Sequence, residues 1–241
     1  ARTERSMLLL GWNYVLDRAR LQRSLHDIVT AAEWPEMRVR IDVLAGPAET
    51  LGASGRELIA IQPFTPPAPE LYESGVTVDF AEGLVREMPL AKTAEFAAAR
   101  PLSAGIAQLE STGAVAPDRP APYEYLLLDR ERRILEGTGT NFWAVRDGVV
   151  YTAGEGVLEG ITREILLELI PLLGMPVRKE AIGEGEIETL DEAALSGSSR
   201  AFMPVVSMAG QPIGDGRPGP VGRRILAAYN DYLATNLKPA I

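Results

Sequence analysis

The sequence predicts an α+β fold in two domains. Strand-like and helix-like stretches are mixed without strict alternation, and a Pro-rich segment at 63–70 divides the chain. Asp147-Gly148 marks a β-hairpin near the centre of the second half. Together these argue for α+β, or an irregular α/β arrangement, over a clean series of βαβ units. The expected division is a small domain over 1–62, a linker over 63–70 and a large domain over 71–241.

The chain opens in a helix-like segment without a Met, so a processed or incomplete N-terminus is expected. In 17–32, Leu21, Leu25, Ile28 and Val29 recur at helical spacing behind Asp17, a capping residue. Residues 38–44 alternate Arg38, Arg40 and Asp42 with Val39, Ile41 and Val43, the period of a strand with unlike faces. A second strand is expected over 55–62. PFTPPAPE (63–70) holds four Pro in eight residues, which reads as a stiff, extended connection. Strands follow at 75–81 and 123–129, with a helix over 93–110 broken near Pro101. NFWAVR (141–146) and VVYT (149–152) flank the Asp-Gly turn. An amphipathic helix is expected over 161–174, kinked at Pro171 and ended by Gly174. A strand at 175–182, a short helix at 186–193, a strand at 193–199 and a closing helix at 221–237 complete the reading.

Composition narrows the chemistry. With 24 Lys plus Arg against 33 Asp plus Glu, the 241-residue chain carries a net charge of −9, a poor general partner for phosphate backbones. No apolar run approaches the roughly 20 residues of a membrane span, and the start has no signal-peptide core. Neither nucleic acid nor membrane is expected as a partner. The chain has no Cys and one His, which removes disulfides, Cys-bound zinc and multi-His metal sites, so no metal is expected.

Gly214, Gly216 and Gly219 match G-x-G-x-x-G, but prolines crowd the segment and no strand precedes it, so it reads as a turn. His26 lies on a helix whose apolar stripe is already filled and is assigned no role. Lys92 sits among Pro89, Leu90, Ala91 and Ala94. An ammonium in such company loses solvation and becomes a nucleophilic amine, as a Schiff-base lysine requires; the bland reading is a surface lysine. Glu136 precedes a Gly-Thr-Gly-Thr turn, where a carboxylate can hold a protonated pyridine nitrogen or simply serve the turn. Gly160-Ile161-Thr162-Arg163 opens a helix, a place suited to a phosphate. Gly197-Ser198-Ser199 is a second small-residue turn offering amides and hydroxyls.

One Lys, one Glu and two phosphate-sized cradles in this order resemble the class IV (fold-type IV) aminotransferases that use pyridoxal 5′-phosphate. That family includes branched-chain aminotransferases, D-amino acid aminotransferases and aminodeoxychorismate lyases. The likeness runs from Arg2 to about Tyr232. It is densest in LEGTGTNFWAVRDGVVYT (135–152), VLEGITREILLEL (157–169), DEAALSGSSRAFMPVV (191–206) and IGDGRPGPVGRRI (213–225). The resemblance implies a large domain with a mixed, barrel-like sheet and helices, joined to a smaller α/β domain. It implies Lys92 as the cofactor-linked catalytic lysine, Glu136 on the ring nitrogen and Leu158 against the ring. The Ile161 and Thr162 amides, with Gly197 and Ser198, would hold the phosphate. Arg2, followed by Ser6 as at the end of the family's H-L-x-R-L-x-x-S helix, would grip it too. Arg40 would face the substrate, and Ser199 would meet the substrate carboxylate.

Two departures stand out. Several small-domain strands that the family places before this first helix are missing, so the small domain is expected to be truncated at its start. Where the family often has a Tyr shortly after the lysine, this chain has Phe96, which has no hydroxyl for the cofactor's phenolic oxygen. The resemblance implies a ping-pong transamination between an amino acid and a 2-oxo acid, in a homodimer in the cytoplasm. Arg at position 40 favours a branched-chain-like L-amino acid enzyme. A lyase that eliminates pyruvate from 4-amino-4-deoxychorismate to give 4-aminobenzoate is the alternative, and a cofactor-free binding relative is a second one.

Overall fold

The computed structural model describes residues 2–32, 34–52, 54–101 and 121–237. Two compact units divide between Thr65 and Pro66, inside the Pro-rich stretch. That stretch is not extended throughout. Pro63 ends a strand, and Pro69 opens a short helix, where a missing N–H costs no hydrogen bond.

The first unit contains helix α1 (Arg2–Leu9), helix α2 (Arg18–Ala32) and the antiparallel strands β1 (Met37–Val43) and β2 (Glu57–Pro63). Asp17 caps α2 as expected, its Oδ1 accepting from the Arg20 amide at 2.9 Å. Arg20 also reaches Glu57 on β2, which accepts from Tyr14 Oη at 2.8 Å. Arg56 lies over the rings of Trp12 and Tyr14, with its charge 5.4 and 4.3 Å from their centroids. The two faces expected of β1 are less distinct than its alternation predicts, because Val39 and Ile41 are themselves 38% and 37% exposed.

The second unit begins with helix α3 (Pro69–Ser74) and strand β3 (Val76–Phe80), followed by helix α4 (Ala94–Ala99). The helix expected over 93–110 stops at Arg100, before Pro101, and the remainder of that expectation lies outside the described residues. Next come β4 (Glu124–Leu128), β5 (Ile134–Gly137), β6 (Asn141–Arg146) and β7 (Val149–Tyr151). The expected hairpin turn is present: Asp147 and Gly148 have φ of 52° and 73°, the left-handed pair a tight hairpin requires. Helix α5 (Ile161–Leu172), β8 (Val177–Arg178), β9 (Glu192–Gly197), β10 (Ala201–Met208), β11 (Gln211–Pro212) and helix α6 (Pro220–Asn236) follow.

Strand pairing closes a ring in the order β10-β3-β4-β5-β6-β9 and back to β10, with β7 and β8 extending from β6. This is the mixed, barrel-like sheet that the resemblance implies. The central strands are buried on both faces, so they read as apolar runs instead of alternating. Along β6, Phe142 and Ala144 join one core cluster, while Trp143 and Val145 join the other with Leu166 of α5 and Ile225 of α6. Among the described residues no helix is long and apolar enough to cross a membrane.

The structure corrects the sequence reading in several places, the unexpected helix α3 and strand β11 among them. The strand expected over 175–182 is only Val177–Arg178. The helix expected over 186–193 is a 3₁₀ segment, Glu184–Thr189, since Glu192 already pairs in β9. Neither β5 nor β10 is expected from the sequence. Pro204 disguises β10, yet it lies before pairing with β3 begins at Val205, where its missing N–H interrupts no bond on that side.

Candidate active site

Glu136 stands near the end of β5 and pairs across the Gly137–Thr140 turn with Asn141, the first residue of β6. Its side chain is almost wholly buried. One oxygen, Oε2, accepts from the Leu158 amide at 3.0 Å and from Asn141 Nδ2 at 3.3 Å. The other, Oε1, accepts from Arg86 Nε at 2.7 Å. Burial pushes the Glu136 carboxyl up to about 7, against the opposing pull of the Arg86 charge and the Leu158 amide.

Asn141 organises the neighbourhood. Its Nδ2 also donates to the Leu158 carbonyl at 2.8 Å, so the backbone of Leu158 is held at both its N–H and its C=O. Gly160 packs against Asn141 Oδ1 so closely that a Cβ there would collide with it. Leu158, Gly160 and the start of α5 are thereby fixed to the hairpin that carries Glu136.

The first cradle is the start of α5, whose opening amides have no partner within the helix. The Ile161 side chain is 54% exposed, while Thr162 is buried with its hydroxyl 3.3 Å from Tyr229 Oη. Buried Arg163 donates from Nη2 to the Ala153 carbonyl at 2.7 Å, and its Nε has no partner. Burial lowers its pKa. The second cradle is the β9–β10 turn, closed by the Arg200 amide on the Gly197 carbonyl at 3.0 Å. A Cβ at Gly197 would lie 3.6 Å from Thr140, and Asn141 pairs with Ser196, so Asn141 sits beside the second cradle as well as beside Gly160 of the first. Ser198 is exposed and Ser199 half-buried.

Lys92 requires a correction. Ala91 is fully buried, but Lys92 faces out and is exposed, as are Leu90 at 40% and Met88 at 38%. Of its apolar neighbours in sequence, Ala91 turns inward while Leu90 stays exposed, so they leave Lys92 uncovered. The segment still reaches Glu136 another way. Phe96, four residues on in α4, lies under the Arg86 guanidinium at 3.7 Å, and Arg86 bonds Glu136.

Arg2 and Arg40 belong to the first unit. Arg40 on β1 has a side chain 68% exposed, and its Nε donates to Asp42 Oδ2 at 2.6 Å, a neighbour on the same strand face.

Sequence reasoning misses Asn141 and Arg86. Asn141 leaves a usable signal, since across a tight turn a residue five beyond Glu136 falls opposite it. Arg86 leaves no local sign, because its partner lies 50 residues away.

Chemically, a buried carboxylate with one oxygen fixed by neutral donors and the other given to a cation suits a flat, protonated ring nitrogen. The planar Arg86 guanidinium, stacked on Phe96, stands in for such a cation. The two cradles supply amides for an anionic group attached to that ring. Among the described residues no group of three or more His, Cys, Asp or Glu could hold a metal ion.

Comparison with known proteins places the chain in a family. A family model described as "Amino-transferase class IV" matches residues 1–208. A branched-chain-amino-acid aminotransferase of Salmonella typhimurium is 37% identical over 108 residues, 44% of this chain and 35% of that protein. A D-alanine aminotransferase of Staphylococcus aureus is 29% identical over 109 residues, 44% of this chain and 39% of that protein. The matched stretch thus spans little more than a third of either relative. The crystal structure of a T.th. branched-chain amino acid aminotransferase with pyridoxamine 5′-phosphate superposes with a TM-score of 0.75 at 23% identity. It covers 99% of this chain and 78% of that one, and shares the fold.

Proposed function

The chain belongs to the class IV aminotransferase family, and from that premise we propose that it moves an amino group between an amino acid and a 2-oxo acid with pyridoxal 5′-phosphate, taking a branched-chain-like donor. The observation that carries this reading is the buried Glu136, whose Oε1 holds the Arg86 guanidinium over Phe96 and whose Oε2 accepts from the Leu158 amide, just before the first cradle.

When bound, the cofactor supplies the electron sink for breaking the substrate's Cα–H bond. Lys92 is the residue for its covalent attachment. Glu136 would bond the ring nitrogen, with Leu158 beside the ring. The Ile161 and Thr162 amides and the Gly197-Ser198 turn would take the phosphate. The Ser199 amide would take the substrate carboxylate. The negative charge on Glu136 Oε1 favours a protonated ring nitrogen, which strengthens the sink as charge develops. Lys92 Nζ, as a neutral amine, would be the base that accepts the substrate's Cα proton. Because Lys92 is exposed here, the desolvation that makes it a base has to come from the cofactor and substrate covering it. Phe96 is buried and has no hydroxyl, so the phenolic oxygen receives no hydrogen bond from that position.

Incubation with L-leucine and 2-oxoglutarate tests the reading, and glutamate should form. The similarity to a D-alanine aminotransferase makes D-donors the second reading, so the panel should include D-alanine. No glutamate from any donor, with pyruvate released from aminodeoxychorismate, would replace transamination with lyase chemistry.

A further inference from the structure

Arg200 follows the Gly197-Ser198-Ser199 turn and plays no part in the reaction described above. It is nevertheless the most heavily fastened residue of that turn. Its amide closes the turn on the Gly197 carbonyl at 3.0 Å, and its own carbonyl accepts from Tyr72 Oη at 3.0 Å. Its guanidinium, 2% exposed, forms an ion pair with Glu124, whose side chain is wholly buried on β4. Glu124 in turn accepts from the Thr138 hydroxyl in the Gly137–Thr140 turn. The guanidinium also lies 5.1 Å from the Tyr123 ring centroid.

This arrangement is expensive. Among the described residues, Arg200 Nε and Thr140 Oγ1 are both buried without a hydrogen-bond partner. A buried ion pair with unmet donors is generally no more stable than apolar residues of the same volume. The next residue, Ala201, holds φ at 49°, a left-handed conformation that a residue with a Cβ adopts only when its surroundings enforce it. Stability alone is therefore a poor reason for this pair. What the pair does is connect two turns distant in sequence. Through Glu124, the turn carrying Ser199 is bolted to the turn that follows Glu136.

The geometry points to Arg200 as a positioning residue: through Glu124 and Thr138 it fixes the Gly197–Ser199 turn to the turn that follows Glu136, and so aims the Ser199 amide that would meet a substrate carboxylate. The inference rests on the transamination reading and adds a determinant of carboxylate recognition to it. Arg200 touches no substrate. It acts by keeping amide donors aimed before the substrate arrives, so its loss weakens carboxylate binding and leaves the proton transfers at Lys92 largely intact.

The test uses the cofactor-loaded protein and 4-methylvalerate, a branched carboxylate without an amino group. In Arg200→Lys, which keeps the charge but loses the fork, the Kd for 4-methylvalerate should rise about tenfold. KM for the amino and 2-oxo acids should rise together by a similar factor, with kcat within about threefold of wild type. Glu124→Gln should do the same, and the double variant should be no worse than either single one. Tyr72→Phe removes only a half-buried hydroxyl on the Arg200 carbonyl and should raise the Kd about threefold, which keeps the test open if Arg200→Lys fails to fold. A folded Arg200→Lys or Tyr72→Phe protein that binds 4-methylvalerate within about twofold of wild type overturns the inference. Wild-type protein that neither transaminates nor binds the carboxylate overturns the function reading itself.

Discussion

Arg86 and Glu136, 50 residues apart in the chain, form a buried ion pair at 2.7 Å, with side chains 8% and 2% exposed. The pair places a cation where the proposed ring nitrogen belongs, with the guanidinium carbon 3.7 Å from the Phe96 ring centroid. Above the Glu136 pKa of about 7, removing Arg86 strands the carboxylate charge in the interior. Arg86→Met should therefore cost the cofactor-free protein about 3 kcal/mol. Pyridoxal 5′-phosphate should then stabilise the variant more than the wild type, because the ring N–H returns a partner to Glu136. Thermal unfolding with and without the cofactor checks this. Equal cofactor shifts in both proteins would detach Glu136 from the ring nitrogen.

Glu136 should leave a pH signature. Its folded pKa is raised from 4.5 to about 7, so the folded state retains a proton that the unfolded chain releases. Its contribution is present below pH 4.5 and lost as pH rises through 7, on the order of 3 kcal/mol in all. Glu136→Gln cannot ionise and should flatten the decline. Urea midpoints of cofactor-free protein between pH 4.5 and 8 measure it, and an unchanged slope in the variant would assign the decline to other groups.

Gly160 is held against Asn141 Oδ1 with no room for a methyl group. Its φ of −70° suits alanine, so backbone strain plays no part in a substitution there. Gly160→Ala should push Asn141 aside, loosen its bonds to Glu136 and Leu158, and cost about 1–3 kcal/mol. Cofactor affinity should fall with it. A variant as stable as wild type that binds pyridoxal 5′-phosphate equally well would show that Asn141 does not organise the site.

How much of this is legible in the sequence follows from the range of the interactions. Asp147-Gly148 and the α2 stripe behind Asp17 are local signals, and both elements form as the sequence predicts. Three strands escape notice, the two-residue β11 (Gln211–Pro212) among them. β10 carries a proline whose harmlessness depends on where β3 starts to pair, and β5 is only four residues long beside a turn. At the site, Glu136 and both cradles are readable as residues feeding a hairpin, a helix and a turn. The environment of Lys92 is not. Apolar neighbours in sequence promise burial, but the chain turns Ala91 inward and leaves Leu90 and Lys92 outside. Arg86 and Arg200 find their carboxylates 50 and 76 residues away, a distance no periodicity reports.

The covalent bond to the cofactor is the most direct test of the whole account. Wild-type protein loaded with pyridoxal 5′-phosphate, reduced with borohydride and digested should show the phosphopyridoxyl group on the peptide containing Lys92. Lys92→Ala should carry none and should lose transamination. A label confined to other lysines, or a Lys92→Ala protein that still transaminates, would contradict it.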